Sequence, residues 1–299
     1  LKKQLPVYSI EQFKHFSEDA SFYANLFIPH VKEHHFTIKP HKHDFYLLLL
    51  FTKGHGTHYV DFNSYPIKPG TVFMLSPGQV HSWKLSDDID GYVFFHSKTF
   101  YDEGYTNEKI TNYPFFNSIN NAPFVTIKKT NLPPIEKLFQ EILQEYKQPN
   151  LLQLNKLHAL VNILYIELAR VYITGEKVEN PKYLHAIKKL DNLIDINFKE
   201  IKFPTEYASL MNITERHLNR ITKTCLNKTP TELISDRVIL EAKRMLIHSN
   251  HTVSEVAEEL GYFDASYFSR LFKKKCGKTP VQFANSVSAK PTRSKNKKV

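Results

Sequence analysis

The sequence lacks several features that would fix its class at once. It has only two cysteines in 299 residues, which excludes a disulfide framework and any zinc module built on several cysteines. A reducing, cytoplasmic setting fits that count. The longest apolar run is the stretch from Phe45 to Phe51, far short of the roughly 20 residues that span a bilayer. No charged segment followed by an apolar run marks a secretory leader near the first residues. Common catalytic signatures are missing too, with no G-x-S-x-G, H-E-x-x-H, P-loop or G-x-G-x-x-G. The lone Gly54-His55-Gly56 suits a turn. The reading is of a protein that is not an enzyme and needs no cofactor.

Net charge is also absent from most of the chain. Residues 181–299 carry 22 Lys and Arg against 12 Asp and Glu, so the whole formal charge of +10 sits there and residues 1–180 balance to zero. A neutral front and a basic back point to an anionic partner for the back alone, with nucleic acid ahead of an anionic membrane surface.

The front reads as β to about residue 130. Short runs rich in Phe, Tyr, Val and Leu (45–51, 58–62, 71–75, 91–95) alternate with turn clusters such as 63–70, a spacing that suggests a sandwich or barrel. Residues 131–174 read as helical. Asn131 can cap, and Pro133 and Pro134 suit a first turn. Farther on, Leu154, Leu157, Val161, Leu164, Leu168 and Val171 step by 3 and 4, a heptad seam. Leu152, Ala159, Leu160, Ile163 and Ile166 make a second apolar face. The seam is expected to bury against a twin chain and the second face against the β domain; an intramolecular helical hairpin is the alternative. Residues 175–181 read as a linker, 182–285 as all-helical, and 286–299 as a basic disordered tail.

The basic half repeats itself. Residues 218–223 align with 268–273 and Lys228-Thr229-Pro230 with Lys278-Thr279-Pro280 at an offset of 50, while 206–211 align with 255–260 at 49. The second copy therefore has one extra residue between its short helices. Each copy has the physics of a helix-turn-helix. Ala208 and Ala257 allow close helix approach, and Asn212 and Gly261 supply a left-handed residue after the first helix. Thr214 and Asp264 can cap the second. The outward face of that second helix carries Arg216, Asn219, Arg220 and Lys223 in one copy. In the other it carries Ser266, Tyr267, Ser269, Arg270, Lys273 and Lys274. These side chains can reach base edges and phosphates in a major groove. Lys275 is grouped with the phosphate candidates, a solvated charge run being the alternative. Between the copies, residues 231–249 read as one helix of about 27 Å, a little under one turn of B-DNA at about 34 Å.

On residues 257–283, the matching first unit and 237–246 between them, the chain resembles the AraC/XylS family of bacterial transcription regulators. That resemblance implies a sequence-specific regulator of promoter DNA, more often an activator, that works as a homodimer with RNA polymerase and answers to a small-molecule effector. One departure is Ala284 after Phe283, where the family often has Arg. The front is similar to the family's cupin-type sensor domain through residues 41–46 and 69–81. The fold class is then α+β: an N-terminal cupin-like β-barrel with a helical dimerisation segment, followed by an all-α domain of two helix-turn-helix units. His41, His43 and His81 sit where metal-binding cupins place histidines, but Leu47 and Leu48 stand where a carboxylate ligand is expected. No metal is expected, and His41, His43, His81 and Trp83 are read as lining an effector pocket. His96 is a weaker candidate, while His34, His35, His55 and His58 are placed in loops or at strand ends. Two alternatives stay open: a metal-dependent cupin enzyme fused to a DNA-binding domain, and a ligand-independent DNA-binding protein.

Overall fold

The computed structural model describes residues 5–13, 21–34, 39–105, 110–116, 122–148, 150–175 and 181–288. The chain divides into two compact units, one ending at Glu179 and the other beginning at Asn180.

The first unit holds the strands β1 (Val7–Tyr8), β2 (Phe22–Leu26), β3 (Lys42–His43), β4 (Tyr46–Lys53), β5 (Gly56–Val60), β6 (Asn63–Ile67), β7 (Thr71–Leu75), β8 (His81–Leu85), β9 (Asp90–His96) and β10 (Phe124–Thr126). Two short helices, α1 (Phe27–Glu33) and α2 (Lys98–Gly104), interrupt them where the sequence had shown only β character. The side chain of Ser97 caps α2 by accepting from the Phe100 amide.

The expected barrel is realised as separate sheets: among the described residues no ladder closes into a ring. A five-stranded sheet runs β10-β7-β4-β9-β2, a three-stranded one runs β6-β5-β8, and β1 pairs with β3. An isolated bridge between His41 and His81 links β3's approach to β8. Strand β6 lies in a stretch that reads as turn from sequence, because Pro66 cannot donate to a ladder. It is tolerated there because β6 is an edge strand. The actual turn is two residues, Asp61-Phe62, with Asp61 at φ 52° and Val60 paired to Asn63.

Helices α3 (Leu132–Lys147) and α4 (Gln153–Gly175) pack into the same core as the sheets. Asn131 occupies the position before α3 as expected but makes no side-chain cap bond; the prolines fill the first turn. From Leu157 onward the seam of α4 faces inward, while Leu154 at its start is exposed. Leu157, Val161, Leu164 and Leu168 are buried with Ile135, Phe139 and Ile142 of α3 and with the sheet residues. The stripe left outside is Ala159, Ile163, Ile166 and Arg170. The seam expected to face a twin chain thus packs within its own domain, while of the second face only Leu160 is buried there. A 3-4 spacing is what any antiparallel helix pair needs, so it does not by itself mark a partner chain.

The second unit is wholly helical where described: α5 (Pro181–Asn197), α6 (Pro204–Leu210), α7 (Glu215–Leu226), α8 (Pro230–His248), α9 (Val253–Glu259), α10 (Ala265–Cys276) and α11 (Pro280–Ser288). The Lys-Thr-Pro repeat is explained by capping: Thr229 caps α8 with Pro230 at its first turn and a reciprocal bond from Glu232. Thr279 and Gln282 exchange the same pair of bonds before α11. Arg237 fastens α8 to α5, lying 3.9 Å over the Phe198 ring and bonding Asp195 and Glu241. The tail expected from 286 lies outside the described residues beyond Ser288.

Candidate nucleic-acid interface and histidine cluster

The two helix-turn-helix units are built by the same local devices. After α6 the Ile213 amide donates to the Ala208 carbonyl at 3.0 Å, and after α9 the Tyr262 amide donates to that of Ala257 at 2.8 Å. Both closures need a left-handed residue, supplied by Asn212 (φ 55°) and Gly261 (φ 76°). At Gly261 a Cβ would also stand 1.9 Å from the Lys199 carbonyl oxygen. Thr214 accepts from the His217 amide and Asp264 from the Ser266 amide, so both second helices start on the caps read from sequence. Both end on left-handed residues, Asn227 and Gly277.

Leu218 and Ile221 fix α7 to the core, and Phe268 and Phe272 fix α10. This turns Arg216, Asn219, Arg220 and Lys223 outward on α7, and Ser266, Tyr267, Arg270, Lys273 and Lys274 on α10, all exposed, with Ser269 half-buried. Arg220 donates to His217 Nδ1 at 2.8 Å, whereas Arg270 stands 3.8 Å from Asp264. Lys275 does not belong with its neighbours. Its ammonium donates to Asp236 of α8 at 2.8 Å, and Lys228, which follows α7 in the first helix-turn-helix copy, donates to the same carboxylate. Charge alone could not separate Lys275 from Lys274; position on the helix does, because only Lys275 faces α8. Ala284 is buried against the core, so its position offers no outward contact. Phe263, the extra residue of the second copy, is fully exposed just before the α10 cap.

In the first unit the four residues read as a pocket do come together. His41, His43, His81 and Trp83 are each 5% exposed or less. His43 Nε2 lies 2.8 Å from His81 Nε2, and the His41 and His81 rings are 4.3 Å apart. His58 completes the group and corrects its placement at a strand end. It sits in the middle of β5, opposite Trp83, with Nε2 2.9 Å from His81 Nδ1. Its parity with buried Val60 was the sequence signal. Leu47 and Leu48, at the carboxylate's expected place, are buried in the apolar core.

The tautomers follow from the bonds. His41 Nδ1 donates to the Lys39 carbonyl at 2.7 Å and His43 Nδ1 to that of Phe45 at 3.3 Å, which leaves both Nε2 atoms as lone pairs. Burial pushes His43 and His58 down to about 3 and lowers His41 and His81 as well, so the cluster is neutral at pH 7. His58 Nδ1 and Trp83 Nε1 are buried without a hydrogen-bond partner. His96 lies apart, with Nε2 2.5 Å from the Tyr165 hydroxyl and Nδ1 donating to the Ser97 carbonyl. His34 is buried beside Phe13 and His30, His55 is exposed, and His35 lies outside the described residues.

Comparison with known proteins agrees with both halves. Residues 25–159 match the model of an AraC-like ligand binding domain, and residues 207–286 that of a helix-turn-helix domain. The chain is 24% identical over 283 residues to an uncharacterized HTH-type transcriptional regulator of Bacillus subtilis, YfiF, covering 92% of this chain and 88% of that one. It is 25% identical over 232 residues to the lactose operon transcription activator of Staphylococcus xylosus, covering 76% and 79%. The crystal structure of ToxT from Vibrio cholerae aligns at 14% identity and a TM-score of 0.43 over 91% of this chain and all of that one. With both its sensor and its helix-turn-helix segment matched, the chain belongs to the AraC/XylS family of transcription regulators.

Proposed function

We propose that this regulator binds promoter DNA through α7 and α10 together, and that an effector bound in the first unit controls the binding. The repeated outward face carries the reading: two helices built alike, one per helix-turn-helix copy, present Arg220 and Arg270 at matching positions in the only basic part of the chain. Helix α8, at about 28 Å for its 19 residues, suits two helices entering successive major grooves on one side of a duplex. Arg216, Asn219, Arg220, Ser266, Tyr267, Ser269 and Arg270 read bases or nearby phosphates, and Lys223, Lys273 and Lys274 hold phosphates. The relative from S. xylosus is named an activator, which supports activation in concert with RNA polymerase. The role is regulatory and cytoplasmic rather than enzymatic.

The effector site is the group of His41, His43, His58, His81 and Trp83. The unpartnered Trp83 Nε1–H and His58 Nδ1 favour a small ligand that brings a hydroxyl, because one such group can accept from the first and pair with the second in either tautomer of His58. Dimerisation is assigned to the exposed stripe of Ala159, Ile163 and Ile166 on α4.

The test is selection of duplexes from a random pool by the full-length protein, with binding then measured on the selected and on random sequences. Selected duplexes should bind at least about a thousandfold more tightly, and the Arg220→Ala/Arg270→Ala variant should lose most of that margin. No enrichment, or a margin untouched by the double variant, refutes the reading.

A further inference from the structure

The histidine cluster has the chemistry of a metal site that its sequence had argued against. His41, His43 and His81 are all buried, and one ligand nitrogen from each lies within 4.8 Å of the other two. Metal-binding histidines are usually oriented by a hydrogen bond at the other ring nitrogen, and each of these three has one. His41 Nδ1 is held by the Lys39 carbonyl and His43 Nδ1 by the Phe45 carbonyl, while His81 Nδ1 faces His58 Nε2 at 2.9 Å. The first two bonds fix Nε2 as a lone pair. The third does the same once His81 donates from Nδ1 to His58.

Without an ion, His43 Nε2 and His81 Nε2, 2.8 Å apart, must share one proton, and His81 then turns its Nδ1 lone pair to His58. An ion with nitrogens at about 2.0–2.1 Å holds them about 3.3 Å apart in tetrahedral geometry. The pair at 2.8 Å would open slightly, and the widest pair would close by about 1.5 Å, a motion on the scale of side-chain torsions.

We propose that His41, His43 and His81 bind one divalent transition ion of the zinc class through Nε2, with His58 as the positioning residue that sets the tautomer of His81. Imidazole donors suit zinc, cobalt and nickel rather than calcium or magnesium. Three protein ligands leave a coordination position open. The site stands or falls independently of whether an effector exists, since its test needs none.

Tag-free full-length protein is stripped with chelator and titrated with Zn²⁺ against a chromogenic competitor. Co²⁺ is added separately to read ligand-field absorption. One tight ion per chain is expected, with a tetrahedral or five-coordinate Co²⁺ spectrum and a raised midpoint for thermal unfolding followed by Trp83 fluorescence. His41→Ala and His43→Ala should abolish the tight site, and His58→Ala should weaken it about 10- to 100-fold. His55→Ala, at an exposed histidine, should leave it intact. Circular dichroism checks that each variant folds, and His41→Gln serves if His41→Ala does not. Micromolar Zn²⁺ failing to displace the competitor, or tight binding that survives in folded His41 and His43 variants, overturns the proposal.

A second inference rests on a different observation, the exposed ring of Phe263. It is the residue inserted in the second copy, it precedes the cap of α10, and Tyr267 in the first turn of α10 is half exposed. The N-terminal end of such a helix is the part that meets base edges, and phenyl rings pack on the thymine methyl group there. We infer that Phe263 reads a thymine methyl through this contact. It builds on the DNA-binding reading. On a duplex selected by the wild-type protein, each dT is replaced in turn by deoxyuridine. One replacement should weaken wild-type binding about fourfold, the worth of one buried methyl, and have no effect on Phe263→Ala. If Phe263→Ala binds the selected duplex as wild type does, or responds to every replacement as wild type does, the contact is absent. A duplex that does not enrich at all would instead refute the DNA-binding reading.

Discussion

Acid should destabilise the first unit well before the pH at which ordinary carboxylates titrate, and His30 and His96 set the minimum size of the effect. Both are 2% exposed or less. Burial, aided by neighbouring His34 and His41, pushes His30 down to about 3 from 6.5. Burial pushes His96 down to about 4, with the Ser97 carbonyl opposing and His158 assisting. A base with a lower pKa in the folded state takes up its proton mainly on unfolding. Its contribution is therefore complete above about pH 6.5, and it is lost as pH falls from there toward the folded values. At pH 5 each group has lost about 2 kcal/mol, so the pair has lost about 4 kcal/mol, against a total of about 5–15 kcal/mol for a domain. The histidine cluster acts in the same direction. Trp83, the single tryptophan, is buried in this unit and reports on it alone. Urea denaturation of chelator-treated full-length protein, followed by its fluorescence, should show a midpoint at least about 2 M lower at pH 5.0 than at pH 7.5, taking an m-value of about 2 kcal/mol/M. His96→Gln keeps a polar partner for Tyr165 without the titration, so it should shrink the pH-dependent loss by about 2 kcal/mol, whatever it does at pH 7.5. A midpoint indifferent to pH, or an undiminished loss in His96→Gln, would refute the reasoning.

Arg270→Ala should cost roughly 1–3 kcal/mol on a selected duplex and little on random DNA. Lys274→Ala should weaken both about equally and lower the salt slope by about one; competition binding at several salt concentrations separates the two. Gly261→Ala should destabilise the helical unit by at least about 1–3 kcal/mol, because the residue is held at positive φ with its Cβ driven into the Lys199 carbonyl. Gly277→Asn, at a left-handed position where a Cβ would meet nothing within 4 Å, should be nearly neutral; thermal melts followed by circular dichroism check both glycine variants. Leu164→Ala should cost about 2–5 kcal/mol of first-unit stability and leave the oligomeric state in sedimentation unchanged, whereas Ile166→Glu should shift a dimer toward monomer without unfolding it.

The helical half was legible because its devices are local. A repeat at 49–50 residues, a left-handed Asn or Gly, a Thr or Asp cap and a Thr-Pro start each act within one or two turns. Their spacing in the chain is nearly their geometry. The outward faces follow from the same register, since fixing Phe268 and Phe272 inward leaves Arg270 and Lys274 nowhere to go but out. Lys275 escaped because its partner Asp236 is 39 residues away in sequence, and no local pattern marks such a pair. The front half was harder to read for the same reason. The strands around 45–51, 71–75 and 91–95 showed in their composition, but which histidine meets which depends on the pairing of β5 with β8. That pairing, which sets His58 opposite Trp83, is what brings the cluster together.

Helix α4 shows how far periodicity reaches. Its 3-4 steps say correctly that two stripes are apolar, and a helix 23 residues long with two such stripes must cover at least one of them. Period cannot say which stripe meets the helix's own domain, because a knob fits a hole the same way whether the hole lies on α3 or on another chain. Side-chain size and polarity decide it. The inward stripe carries the larger, unbroken aliphatic set together with Tyr165, whose hydroxyl needs a buried partner and finds His96. The outward stripe mixes Ala159 and two isoleucines with Asn155 and Arg170, a surface that tolerates water when alone and still offers an apolar centre to a partner. A half-polar stripe of this kind suits a dimer that can rearrange, since the cost of parting it is modest. In the proposed dimer, an effector that shifts the sensor by a small free energy can then change how the two basic units are presented to DNA.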